Sequence, residues 1–146
     1  MLFLNTRKII EPVMVAVISV AMMGCVSGKA ITKKEYANTI EKAVNADFLY
    51  GEYPQLSSCF SENSGKLKKS LDQSIDQCRK SQLAKVSDSE MLSAAAQQNF
   101  TKRVTKCGLF DYLQNHRDSY KGNQDGNCKL VSNMYRNIIR KNVDVF

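Results

Sequence analysis

Lys66-Leu67-Lys68-Lys69-Ser70-Leu71-Asp72-Gln73-Ser74-Ile75-Asp76-Gln77-Cys78-Arg79-Lys80 reads as one amphipathic helix. Leu67, Leu71, Ile75 and Cys78 recur at spacings of four, four and three, the repeat that lines one face of an α-helix. A half-buried strand needs strict alternation of apolar and polar residues, and none of useful length occurs here or elsewhere in the chain. Asp72 and Asp76 stand four apart, but Lys68 precedes the first by four and Lys80 follows the second by four. That pattern describes surface ion pairs rather than a paired-carboxylate site. The helix also places a cysteine, Cys78, on its inner stripe, where a disulfide can cross a core.

Other helices flank this one. Upstream, Thr32-Lys33-Lys34-Glu35 is a capping box. It opens a segment with Tyr36, Ile40, Ala43, Val44 and Phe48 on one face, stopped or bent by Gly51 and Pro54. The bend holds the densest aromatic stretch, with Phe48, Leu49, Tyr50 and Tyr53 as a possible partner patch if exposed. The competing reading is that these rings close one end of the core. Downstream, Ser87-Asp88-Ser89-Glu90 is a second capping box. The helix expected after it carries Leu92, Ala96, Phe100, Val104 and Cys107, with a break at Gly108. Leu109 to Tyr120 reads as a further helical segment, with the sole histidine, His116, at its surface or edge. Lys121 to Asn127 is a loop, explained by turn chemistry and not by calcium, because Lys121 and Ser132 would occupy the first and twelfth ligand positions. A last helix over Cys128 to Lys141 points Val131, Met134 or Tyr135, and Ile138 inward. The fold class expected is all-α: a small disulfide-stapled bundle of four to five helices.

The five cysteines divide into Cys25 and a later set of four, Cys59, Cys78, Cys107 and Cys128. Four cysteines in an exported chain imply two disulfides, and three pairings are open. Cys59–Cys78 with Cys107–Cys128 is favoured weakly, since each bridge then closes a loop of about 20 residues within one helical hairpin. Zinc is the rival use, but the chain has no Cys-x-x-Cys and a single histidine, so no metal or cofactor is expected.

Export is read from the N-terminus. Arg7 and Lys8 precede an eleven-residue apolar run, Val13 to Met23. As a helix this run reaches about 16 Å, against a bilayer core of about 30 Å, so it is a signal peptide rather than a permanent span. The run exits through Met22-Met23-Gly24-Cys25, and here the chain resembles bacterial lipoproteins, whose lipobox ends in Gly-Cys or Ala-Cys. Met22 and Met23 stand where that family prefers Leu and then Ala or Ser. The resemblance covers the first 25 residues. It implies cleavage before Cys25, attachment of diacylglycerol to its sulfur, and a further fatty acyl chain (palmitate) on the new amino terminus. It also implies an outer-membrane location on the periplasmic side, because Val26 and not Asp follows the lipidated cysteine. Two or more acyl chains anchor stably where one does not. Cleavage after Gly28-Lys29-Ala30 would instead give a soluble periplasmic protein; inner-membrane retention is the other alternative.

The organisation expected is a signal peptide over 1–24, a lipidated tether over 25–31 and a helical domain over 32–146. Loss of the signal leaves 122 residues and lowers the net charge from +7 to +6. That length suffices for one domain with a core. The seven-residue tether spans at most about 25 Å, so the domain sits close to its membrane, and Lys29, Lys33 and Lys34 are placed to meet anionic head groups. The positive balance reads first as basic residues on solvated helix faces; for a partner of an exported chain, lipid head groups or an acidic protein surface are better candidates than nucleic acid.

There is no Gly-x-Ser-x-Gly, no phosphate-binding glycine loop and no His-Glu-x-x-His. No catalytic residue is expected and the chain is not expected to be an enzyme. The partners expected are the bilayer, through acylated Cys25, and another envelope protein bound by a helix groove or the aromatic patch. In size, class and anchor it looks like the pilotins, small helical lipoproteins that carry secretin subunits to the outer membrane; the likeness is architectural and carries no shared motif. The alternative is a periplasmic inhibitor, immunity or exclusion lipoprotein directed at a toxin or other foreign factor.

Overall fold

The computed structural model describes residues 31–124 and 126–140. The signal peptide, Cys25, tether residues 25–30, Asp125 and the tail from 141 lie outside the described residues, as do the side chains of Leu92, Ile138, Ile139 and Arg140. The described chain is an all-α bundle with two disulfides. Its helices are α1 (Lys33–Ala43), α2 (Ala46–Glu52), α3 (Gln55–Ser58), α4 (Ser64–Leu83), α5 (Ala94–Asn115) and α6 (Lys129–Arg140). Short 3₁₀ turns occupy Ser89–Leu92 and Arg117–Ser119. An isolated antiparallel bridge joins Phe60 to Tyr120.

The opening capping box forms: the Thr32 N–H donates to Glu35 Oε2 at 2.8 Å and the Glu35 N–H to Thr32 Oγ1 at 3.2 Å. The helix it starts does not run through Phe48. It ends at Ala43, with Val44 as its C-cap, and Asn45 caps a new helix by accepting the Phe48 N–H at 3.0 Å. Asp72, on α4, accepts the Ala46 N–H at 2.8 Å, satisfying a second donor at that N-terminus. An asparagine in extended conformation followed by a free first turn is the ordinary start of a helix.

The antiparallel pair α4 and α5 makes the most extensive helix contact in the bundle. The register is set by four crossings: Cys78 with Cys107, Ile75 with Gly108, Ser74 with Asp111 and Ser70 with His116. Gly108 was expected to break the helix, yet α5 runs unbroken past it. The reason is close approach. A Cβ built on Gly108 would lie 2.8 Å from Ile75 Cγ1 and 3.0 Å from Ile75 Cα. The glycine admits the α4 backbone rather than ending α5. Leu67, Leu71 and Ile75 are buried as the stripe requires, together with Phe100, Val104, Leu109 and Leu113 of α5.

The second capping box also forms, with the Ser87 N–H on Glu90 Oε2 at 2.6 Å. It opens only the 3₁₀ turn. Ser93 begins α5, accepting the Ala96 N–H at 3.1 Å. The intervening turn drives Met91 into the core, where it is 1% exposed.

The favoured disulfide pairing is corrected. Cys78 bonds Cys107 across the α4–α5 face, with Cα atoms 5.8 Å apart, and Cys59 bonds Cys128, joining the end of α3 to the start of α6 at 5.7 Å. Loop closure grows only slowly with length, so a preference for short loops yields to the antiparallel register.

Candidate functional site

The expected aromatic patch is largely absorbed by packing. Leu49 is fully buried and belongs to the core, while Phe48, Tyr50 and Tyr53 lie half-buried against it. The Tyr50 hydroxyl lies 3.3 Å from that of Tyr112. Tyr112 in turn donates to the Leu56 carbonyl, and burial raises its pKa above the ordinary tyrosine value. The lysines near the tether separate as well. Lys33 Nζ donates to the Val86 carbonyl at 2.9 Å and toward that of Leu83 at 3.4 Å, a cation closing the C-terminal end of α4; Lys34 is exposed.

The most concentrated polar chemistry surrounds His116, which the sequence reads as a surface or edge residue. His116 is 6% exposed. It follows the last residue of α5, and its ring lies 4.9 Å from that of Tyr112 and 6.3 Å from that of Phe60. A buried imidazole needs partners for both nitrogens. Nδ1 lies 2.7 Å from Glu62 Oε1, and Nε2 lies 2.7 Å from Ser70 Oγ. Glu62 precedes α4 and Ser70 sits in its second turn.

Electrostatics set the proton arrangement. Lys66 Nζ contacts Glu62 Oε2 at 2.7 Å. Its hydrogen bond, and then that of His116, hold the Glu62 carboxyl down at about 2 from 4.5. Glu62 is therefore an anion at neutral pH, and the imidazole donates Nδ1–H to it. In the neutral ring Nε2 is left as an acceptor for the Ser70 hydroxyl. Carboxylate, imidazole and hydroxyl thus stand in the order that polarises an alcohol. One component of acyl-transfer sites is missing: the backbone N–H groups around Ser70 lie inside α4 and are used by the helix, so none points outward to hold an oxyanion.

His116 stands 46 positions from Ser70 and 54 from Glu62, so no local motif joins all three. The one trace is the spacing of Glu62, Lys66 and Ser70 by four, which aligns them on one side of the α4 start. Next to them Ser74 donates to Asp111 at 2.6 Å, continuing the polar seam between α4 and α5.

Elsewhere, Asp76 pairs with Lys80 as its spacing suggested, at 2.6 Å, and also with the buried Arg79 at 2.5 Å. Lys68 instead reaches Asp47, at 2.6 Å. Among the described residues no cluster of three or more His, Cys, Asp or Glu forms a metal site, and no helix is long and apolar enough to cross a membrane. The chain matches no family model, no curated protein and no solved structure.

Proposed function

We propose that the protein is a lipid-anchored envelope lipoprotein. It is held through Cys25 on the periplasmic side of the outer membrane and acts as a non-enzymatic interaction or assembly factor for another envelope protein. The observation that carries this reading is one of sequence: Arg7 and Lys8, the apolar run from Val13 and the Gly24-Cys25 exit stand ahead of a domain with an even set of four further cysteines. The two disulfides of the folded domain support it, because such bonds persist in oxidising compartments and are rare in the cytosol. A bundle stiffened by two disulfides suits a binding module, since a rigid surface loses little entropy on association.

The test is a crosslinked pull-down from intact membranes, comparing wild type with Cys25→Ser. Wild type should fractionate with the outer membrane, carry mass-labelled acyl chains on Cys25 and enrich one envelope-machine subunit, which is lost or mislocalised in the variant. Equal fractionation of the two forms refutes the anchor. Intact anchoring with no resident partner refutes the assembly role and transfers the reading to an inhibitor that meets a foreign factor.

A further inference from the structure

We propose that Ser70 is a nucleophile, activated by His116 and positioned by Glu62, that accepts one acyl or phosphonyl group from an activated ester. This goes beyond the interaction role and does not depend on where the chain is anchored.

The argument is geometric. Both contacts to the imidazole are 2.7 Å, and together they fix the ring's orientation; in the neutral ring the Glu62 carboxylate favours the tautomer with its proton on Nδ1. Phe60 and Tyr112 wall the ring, so the base is shielded from water while Ser70 itself is only half-buried. Lys66, one turn before Ser70, holds the second oxygen of Glu62 and keeps the carboxylate charged. A helical serine ordinarily donates to water or to the carbonyl one turn back; Ser70 lies 2.7 Å from an imidazole nitrogen supported from behind by an anion.

The step balances without a further reactant. Ser70 Oγ attacks the carbonyl carbon, or the phosphorus, and its proton moves to His116 Nε2. The bond to the leaving group breaks, and Nε2 returns the proton to the departing alkoxide or phenolate, or releases it with the fluoride that leaves a fluorophosphonate. Ser70 is left as an ester. The missing oxyanion donors define the substrate class. Removing even one such donor from a working site costs about 10²–10³-fold in rate, so only esters with good leaving groups react. Hydrolysis of the acyl-serine meets the same deficit, so the group stays. The result is a stoichiometric acceptor rather than a turnover enzyme, compatible with a binding function.

The experiment treats the full-length, disulfide-bonded protein with a fluorophosphonate probe and separately with p-nitrophenyl acetate, followed by intact mass and peptide mapping. One adduct per chain is expected, on Ser70, with none on Ser70→Ala and no change in rate for Ser74→Ala. Glu62→Gln should label at least about tenfold more slowly at unchanged circular dichroism, as loss of base positioning requires. His116→Gln should label more slowly still. Should His116→Gln fail to fold, Glu62→Gln decides alone, because Glu62 lies outside α4 and is not part of the core. No adduct on folded wild type, adducts spread over many serines, or equal rates in wild type and Glu62→Gln overturns the proposal.

Discussion

The α4–α5 hairpin and helix α6 each depend on a disulfide, but the two bridges hold different things. Cys78–Cys107 joins helices that already meet along their length, locked where Gly108 admits Ile75. Cys59–Cys128 ties down a helix whose principal neighbour is the one-turn α3. Apart from the bridge, α6 is held by buried Val131 and Tyr135, by the Leu130 N–H on Gln55 Oε1 at 3.0 Å and by the Tyr135 hydroxyl on the Leu113 carbonyl at 2.7 Å. One staple reinforces a contact that packing makes anyway; the other anchors the start of a helix that, among the described residues, packs on less of the bundle.

Removing the bridges in turn tests this directly. In the loop-entropy account the bridge spanning 69 residues contributes about 4.4 kcal/mol and the one spanning 29 about 3.6 kcal/mol. Cys59→Ala with Cys128→Ala should therefore lower the denaturation midpoint further than Cys78→Ala with Cys107→Ala. The sharper reading is hydrogen exchange. The first pair should strip protection from α6 while α4 and α5 keep theirs, and the second should lower protection of both hairpin helices together. Selective loss in α6 from both pairs would break the comparison.

Gly108→Ala probes the packing side of the same contrast. The added methyl must displace Ile75 at its Cα as well as its side chain, and backbone gives way less readily than a side-chain tip. Overpacking of this kind costs about 1–3 kcal/mol, read by chemical denaturation with the Cys78–Cys107 bridge intact. The propensity gain of alanine over glycine in a helix, about 1 kcal/mol, opposes this cost. A net stabilisation would show that the hairpin has slack its register does not suggest. On α6, Tyr135→Phe removes the donor to the Leu113 carbonyl and should cost about 1 kcal/mol, appearing as faster exchange in α6 alone.

What the sequence allowed one to read follows the same division. Apolar stripes and side-chain caps are local, so Leu67, Leu71 and Ile75, the Thr32–Glu35 box and the all-α class were legible. Gly108 was misread because a glycine that ends a helix and one that admits a neighbouring backbone look alike until the neighbour is known. The disulfide pairing was misread because loop length discriminates weakly between partners that tertiary register decides. Asn45 was overlooked as a cap because apolar spacing continued across it to Phe48. The Glu62–His116–Ser70 assembly was illegible for the most basic reason. His116 lies 46 and 54 positions from its two partners, and a lone histidine with no local ligand pattern reads as a surface or edge residue. The signal that remained was negative: one histidine in a chain otherwise rich in charged residues invites the question of what it pairs with once buried.

The smallest effect belongs to that corner and concerns acid. In the folded chain the Glu62 carboxyl is held at about 2, first by Lys66 and then by His116, against 4.5 when unperturbed. Its folded-state pKa is depressed, so across the window from 4.5 down to 2 the unfolded chain binds more protons than the folded one. Stability from this group is therefore present above 4.5 and falls away as pH drops through the folded value. Urea denaturation at closely spaced pH values should show wild type losing more stability than Glu62→Gln across that window. Because Lys66 is the leading cause and its side chain is 73% exposed, added salt should shrink the difference. A difference that persists undiminished in high salt would mean the buried imidazole, and not the surface ammonium, holds the carboxylate. Glu62 would then belong to the core of the Ser70 assembly rather than to its rim.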